Sequence, residues 1–459
     1  SALLLPFGVF LAILGDFRSA RVVTLVILAA SVTTSNQQFP QLGEPLVFTD
    51  IAVAGSFLRY PRFYLAAIPL WLKIVIPPAL AGAAWCGWLL VSTTLMPHVL
   101  GGVIMAAGWS GLWISRSFLT RSTLMPEPDL ICDVRRYGLV ATLIAYAWRW
   151  QRSDAPDVVA PLSASAGSQK AAPLVVIIQC ESFADPARIA PQRNFPALPG
   201  LARLKNTAGV IQGDLHVSGF GAYTMRTEFG VLFGQSEEDL GFRRYDPFLT
   251  AADSVSHALP NVLSEFYESR VFIHPHDLRF YGREQLLPAM GFTEVIGPEN
   301  FDQKDLVGPY VGDETLARLL SDRIRKGRTP ELIYSVTMEN HGPWDAARMN
   351  TADALETWYQ HAANSDRMLN TLDIALRDCG REACLVFFGD HRPSIPGLVE
   401  PVAQRSTPFI VRHYHADGVL PWSNGHSVVP RDLYQCVCDM VTMPETNSVS
   451  RFREVSRPT

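Results

Sequence analysis

Four short apolar runs constrain the fold of this chain more than any other feature: PLVVIIQC (173–180), RVFIH (270–274), LIYSVTM (332–338) and CLVFFG (384–389). Each is too short for a typical helix and lacks the polar alternation of a half-exposed strand, so each reads as a strand covered on both faces. TPFIVR (407–412) is a further candidate, and helical stretches at 313–326 and 358–376 lie between runs. Strands alternating with helices predict an α/β sandwich with a mainly parallel sheet over residues 173–459.

Ligand sites in such sheets form at the carboxyl ends of the strands. Glu181 follows the first run and His274 ends the second. Glu339, Asn340 and His341 follow the third, and Asp390 and His391 the fourth. Taken singly, these residues read as turns and helix caps. Their recurrence at four strand ends points to one shared edge. Carboxylate and imidazole donors there suit a divalent cation such as Mn²⁺, Zn²⁺ or Mg²⁺.

SGFGAYTMRTEFGVLFG (218–234) supplies the complementary piece. Gly219 and Gly221 permit a tight turn, and Thr224 precedes a run of helical character. Free N–H groups at a helix start favour a phosphoryl group, so Thr224 is a candidate nucleophile, although by itself the stretch reads as a capped helix. Without GxxxxGK[ST] it is no P-loop. Arg226 and Glu228, on the same helix, read as structural, His426 as a surface-loop residue, and His276 as uncommitted.

The first 115 residues have another character. The mean hydropathy of the whole chain is +0.11, and the apolar excess falls in residues 1–14, 22–34, 74–93 and 97–114. Successive runs near the ~20 residues needed to cross a bilayer predict a transmembrane helical bundle. The chain starts at Ser1 within an apolar run, which suggests an earlier span. Arg18 and Arg21 in GDFRSAR place that loop in the cytoplasm by the positive-inside rule, and so place the loop at 36–64 and everything after the fourth span outside. Arg59, Arg62 and Lys73 run against the rule and could meet anionic headgroups. Residues 116–172 form a juxtamembrane segment: an apolar helix at 137–150, too short to span, and a Ser/Ala/Pro/Gly-rich linker. The net charge of −5, without basic blocks, gives no support for nucleic-acid binding. Seven cysteines include no CxxC pair, so nothing supports a zinc ribbon or a thioredoxin-like motif. Cys379 and Cys384 are close enough in sequence to bridge, and Cys436 and Cys438 on a strand would share a face.

ESF (181–183), AYTMRTEF (222–229), FYGR (280–283), TMENHGPW (337–344) and FGDH (388–391) resemble, in order and spacing, the lipoteichoic acid synthase and phosphoglycerol transferase family of the alkaline phosphatase and sulfatase superfamily. The resemblance implies an alkaline phosphatase-like α/β/α domain and a catalytic threonine at Thr224. It implies one divalent metal, Mn²⁺ in first place, held by Glu181, Thr224, Asp390 and His391. His341 would lie beside the nucleophile and contact substrate, and His274, Tyr281 and Arg283 would hold a glycerol phosphate headgroup. Tyr281 stands where Gram-positive members have tryptophan. The expected enzyme is a membrane-bound transferase facing the periplasm or exterior, with phosphatidylglycerol as donor and a cell-envelope glycan as acceptor. Phosphoethanolamine transfer to lipid A or a glycan, and metal-dependent phosphodiester hydrolysis, are the alternatives. Cys180 in CESFADPAR does not fit the CxPxR context of a sulfatase nucleophile.

Overall fold

A computed structural model describes residues 3–50, 91–121, 124–163, 173–327, 329–414 and 426–442, with isolated positions between 74 and 85. The chain divides into two units, residues 1–40 with 44–153, and 41–43 with 154–459.

In the first unit, helices α1 (Leu4–Leu14), α2 (Phe17–Leu42) and α3 (Leu95–Arg121) carry the apolar runs. Phe17–Leu42 and Leu95–Ser117 are long and apolar enough to cross a membrane. The loop expected at GDFRSAR shrinks to two residues. Gly15 ends α1 in the left-handed region (φ 65°), and the Asp16 carboxylate accepts from Ser19 N at 2.7 Å, which starts α2 at once. Arg18 and Arg21 therefore lie on a helix, and α2 continues past Thr34 through the polar Ser35–Gln38 stretch. The helix expected at 137–150 is broken at Gly138 (φ 82°) into α4 (Leu130–Tyr137) and α5 (Leu139–Trp150). Tyr146 Oη donates to Asp133 Oδ2 at 2.6 Å and ties the two together. Most of the run at 74–93, with Arg59, Arg62, Trp71, Lys73, Cys86 and Trp88, and part of the linker (164–172), lies outside the described residues.

The second unit is built on an eight-stranded sheet of order β10-β2-β9-β8-β1-β7-β3-β4. Its strands are β1 (Leu174–Cys180), β2 (Val210–Leu215), β3 (Ser269–Ile273), β4 (Glu294–Ile296), β7 (Glu331–Val336), β8 (Ala383–Gly389), β9 (Thr407–Tyr414) and β10 (His426–Val428); β5 (Leu306–Val307) and β6 (Tyr310–Val311) form a separate hairpin. Among the described residues, only β9 runs antiparallel to its neighbours, so the sheet is mainly parallel. The four sequence-legible runs occupy its centre, as β8-β1-β7-β3.

Alternate β1 side chains feed two cores, because successive strand residues point to opposite faces. Leu174, Val176 and Ile178 meet Trp358, Leu369 and Leu320, from α9 (Ala354–Asp378) and α8 (Asp313–Lys326). Val175 and Ile177 meet Phe229, Phe233 and Val437, from α6 (Thr224–Phe233) and α10 (Pro430–Thr442). Helices thus cover both faces of the sheet, an α/β/α sandwich. Helix α7 (Arg283–Ala289) follows β3.

This layering corrects both cysteine expectations. Cys384 points from β8 into the α6/α10 core, whereas Cys379, after α9, packs on the opposite core. The sheet separates them, and both are free thiols. Cys436 and Cys438 lie on helix α10, where residues two apart do not share a face.

Candidate active site

The carboxyl ends of β1 and β8 meet because the strands pair in register, with Cys180 opposite Gly389. The next residues, Glu181 and Asp390–His391, are therefore neighbours, and all three are buried. One donor atom from each lies within 4.8 Å of the others. His391 Nε2 is 3.4 Å from Glu181 Oε1 and 3.7 Å from Asp390 Oδ2.

The orientation of each donor is fixed from behind. His391 Nδ1 donates to the Arg392 carbonyl at 3.0 Å, which leaves the Nε2 lone pair facing the carboxylates. Asp390 Oδ1 accepts from Ser182 N at 2.9 Å and from His391 N at 2.8 Å. Glu181 Oε1 accepts from Ser182 Oγ at 2.8 Å. Asp390 Oδ2 is buried and makes no hydrogen bond of full geometry. Burial and the Glu181 charge push the Asp390 carboxyl up to about 7. Burial alone would lower the His391 pKa, but the Asp390 and Glu181 charges outweigh it and raise it. Two carboxylates, one oriented imidazole and an orphaned buried oxygen fit a divalent cation better than any arrangement without one.

Thr224 is brought to this group by the turn before α6. Gly221 N donates to the Arg392 carbonyl at 2.8 Å, and Thr227 Oγ1 donates to the Asp390 carbonyl at 2.7 Å. Gly221 has φ 65°, and a Cβ there would lie 2.2 Å from Ser394 Cβ, so only glycine fits. Thr224 is the first helical residue of α6. The cap position belongs to Tyr223, which has φ 70° and makes no side-chain cap bond. Thr224 is thus not the cap itself, and its hydroxyl is near enough to Asp390 to hold that pKa down. A non-glycine residue in the left-handed region costs roughly 1–2 kcal/mol. Arg226, buried, places its guanidinium 4.0 Å from the Tyr223 ring centroid and buttresses the turn.

On the β7–β3 side, His274 is buried and its Nδ1 donates to the Val336 carbonyl at 3.2 Å. Burial and then Arg283 hold its pKa well below the ordinary value. Arg283 opens α7, buried, with its guanidinium 4.9 Å from the Tyr281 ring centroid. Its Nη2 is 2.5 Å from Glu228 Oε2. His341 is exposed, and its Nδ1 donates to the Gly342 carbonyl at 2.7 Å, so Nε2 is the basic nitrogen. Tyr310 Oη lies 3.3 Å from His341 Nδ1, and the His276 ring sits tilted against those of His274 and Tyr310, with centroids 6.0 and 5.9 Å apart.

One strand-end expectation does not reach the cluster. Glu339 Oε2 accepts from Asp313 N at 2.6 Å at the start of α8, and Oε1 accepts from His361 Nδ1 at 2.8 Å; it serves the helix, not the edge. His426, expected on a surface loop, instead opens β10, separated from β8 by β2 and β9. Sequence reasoning missed Ser182, Tyr223, Tyr310 and Glu228. A Glu four residues after the candidate nucleophile was the one available signal for Glu228, since that spacing keeps both on one helix face.

A family profile described as Sulfatase matches residues 173–427. The capsular polysaccharide biosynthesis protein RkpI of Rhizobium meliloti is 28% identical over 404 residues, covering 82% of this chain and 74% of that protein. A second Rhizobium meliloti protein, named for cyclic beta-1,2-glucan modification, is 27% identical over 472 residues, covering 90% and 72%. Among solved structures, the lipoteichoic acid synthase LtaP from Listeria monocytogenes is similar with TM-score 0.47 and 19% identity, covering 63% of this chain and 78% of that one.

Proposed function

Because the chain belongs to the sulfatase family, we propose that it is a membrane-bound phosphotransferase that moves a glycerol phosphate group from phosphatidylglycerol, through a phosphothreonine at Thr224, to a cell-envelope glycan. The observation that carries this reading is the Glu181, Asp390 and His391 group, with Asp390 Oδ2 lacking a hydrogen bond of full geometry and the hydroxyl of Thr224, first residue of α6, close to Asp390. Cys180 is an unsuitable alternative, since burial pushes its thiol well up and its side chain belongs to the α8/α9 core.

Glu181, Asp390, His391 and Thr224 would hold one divalent cation, which would lower the pKa of the threonine hydroxyl and polarise the phosphoryl oxygens. Thr224 Oγ1 attacks phosphorus, and the bond from phosphorus to the diacylglycerol oxygen breaks. The threonine proton passes to that oxygen, with His341 Nε2 suited to relay it. A glycan hydroxyl then attacks the phosphothreonine, gives up its proton by the same route and restores Thr224. The start of α6 directs N–H groups at the transferred group.

Support for a glycerol headgroup comes from the surroundings of Arg283. An ammonium headgroup needs a carboxylate or an aromatic cage. Glu228, the carboxylate in contact with Arg283, spends both oxygens on it. The names of the two Rhizobium meliloti relatives support a glycan acceptor. The two long apolar helices support a membrane anchor, which suits a lipid donor, and the catalytic unit would face the periplasm or exterior.

The test is mass spectrometry of the Mn²⁺-loaded protein after incubation with phosphatidylglycerol vesicles or with phosphatidylethanolamine vesicles. A glycerol phosphate adduct on Thr224 is expected from the first, with none in Thr224→Ala. An ethanolamine phosphate adduct would reassign the donor, and full turnover by Thr224→Ala would end the mechanism.

A further inference from the structure

Glu228 lies one turn after Thr224 on α6, about 6 Å along the axis and on the same face. It is 1% exposed and Arg283 is 3% exposed. The pair is side-on and two-pronged: Arg283 Nη2 to Glu228 Oε2 at 2.5 Å, and Nε to Oε1 at 3.2 Å. Gln179 Nε2 donates to Glu228 Oε2 at 3.3 Å, and Tyr334 Oη donates to Gln179 Oε1 at 2.6 Å. This chain of contacts joins β7, β1, α6 and α7. The Phe272 and Tyr281 rings lie 5.8 and 4.9 Å from the Arg283 guanidinium and confine it further. Among the described residues, Arg283 Nη1 makes no hydrogen bond. The outer end of the guanidinium is therefore the part left for an incoming phosphate.

We propose that Glu228 is a positioning residue: it holds Arg283 edge-on, so that the helix carrying the nucleophile also fixes where the phosphate clamp stands. This rests on the reading of Arg283 as a headgroup residue. Stability alone accounts poorly for the pair, because buried ion pairs are on balance no better than well-packed apolar groups of the same volume. Orientation is what such a pair provides. A two-pronged carboxylate fixes the guanidinium plane, and α6 is a rigid spacer between Thr224 and Glu228. Positioning within a fraction of an ångström matters for the attack because misplacement of a bound diester lowers the fraction held ready to react. It also explains a buried carboxylate beside an anion site, where repulsion would otherwise weaken binding: the charge is neutralised by Arg283, and what reaches the phosphate is a set of directed N–H groups.

The test uses the full-length Mn²⁺-loaded protein and two measurements. One is kcat/KM for bis(p-nitrophenyl) phosphate, a diester without a lipid headgroup. The other is the Ki of glycerol 1-phosphate, and separately of phosphoethanolamine, as competitors of that cleavage. For Glu228→Gln, the Ki of the better competitor is expected to rise about 10- to 100-fold, and by clearly more than aryl kcat/KM falls. Glu228→Asp should recover part of the loss, and combining Glu228→Gln with Arg283→Lys should give much less than the product of the single effects. An unchanged Ki, a Ki that moves only in proportion to aryl cleavage, or independent effects of the two substitutions would overturn the proposal while leaving the phosphothreonine reading intact. A wild-type protein that cleaves no diester and forms no Thr224 adduct would overturn that reading, and this one with it.

Discussion

His276 shows how a single side chain is set by its neighbours. It is partly buried, and burial first, then the facing His341 and Arg283 charges, bring its pKa from the ordinary 6.5 to about 4, against the opposite pull of Asp277 and Glu181. Its ring also faces Tyr310 and His274. The unfolded chain therefore binds a proton here that the folded chain refuses between those two values. Stability is unaffected above about pH 7 and is lost as pH falls through 6.5 toward 4. The loss due to this residue between pH 7 and pH 5 is about 2 kcal/mol. His276→Asn should flatten the acid limb of stability by that amount in urea melts at the two pH values; identical limbs would contradict it. At this scale the sequence supplied residue types and little else. Glu181, Asp390 and His391 were legible because each follows an apolar run. Glu228 was read as structural, because nothing linear tells a helix-surface carboxylate from one that reaches an arginine 55 positions away.

Elements decide where those side chains stand. Strand β8 must pass close under the turn after β1, and Gly389 allows it: a Cβ there would lie 2.0 Å from the Phe183 carbonyl oxygen. That oxygen is backbone and the strand is paired on both sides, so neither can give way easily. Gly389→Ala is expected to cost roughly 1–3 kcal/mol or more and, since Asp390 and His391 come next, to weaken Mn²⁺ binding as well. Thermal unfolding with a metal titration checks this; full metal affinity in the variant would show that the strand end tolerates the shift. The turn before α6 is the second such device, with Tyr223 held in the left-handed region beneath Arg226. Apolar patterning marked the central strands and α8, whose expected bounds match Asp313–Lys326. It passed over β2 and β4. The run of β2, VIQGDL, mixes apolar and polar residues. Strand β4 has three residues, none of them buried, and a stretch so short carries little periodicity of its own.

For the whole molecule, the second unit contains both cores and the complete candidate site. A fragment starting at Asp154 is expected to fold on its own and to keep aryl diester cleavage, while losing at least about tenfold in turnover of vesicle lipid, because the anchor that concentrates it at the membrane is gone. Circular dichroism melts and the two assays check this; an unfolded fragment would place essential packing outside the unit. Linear patterning was enough to show that this chain joins apolar helices to an α/β sheet, and that acids and histidines gather at one edge of that sheet. Periodicity and strand-end chemistry are local, and local patterns survive in one dimension. Packing in three dimensions was needed to show that β9 runs backward, that Cys379 and Cys384 face opposite cores, that Glu339 serves α8, and that Glu228 grips Arg283. Each of these depends on which distant segments lie side by side, and that is settled by the packing of the whole sheet.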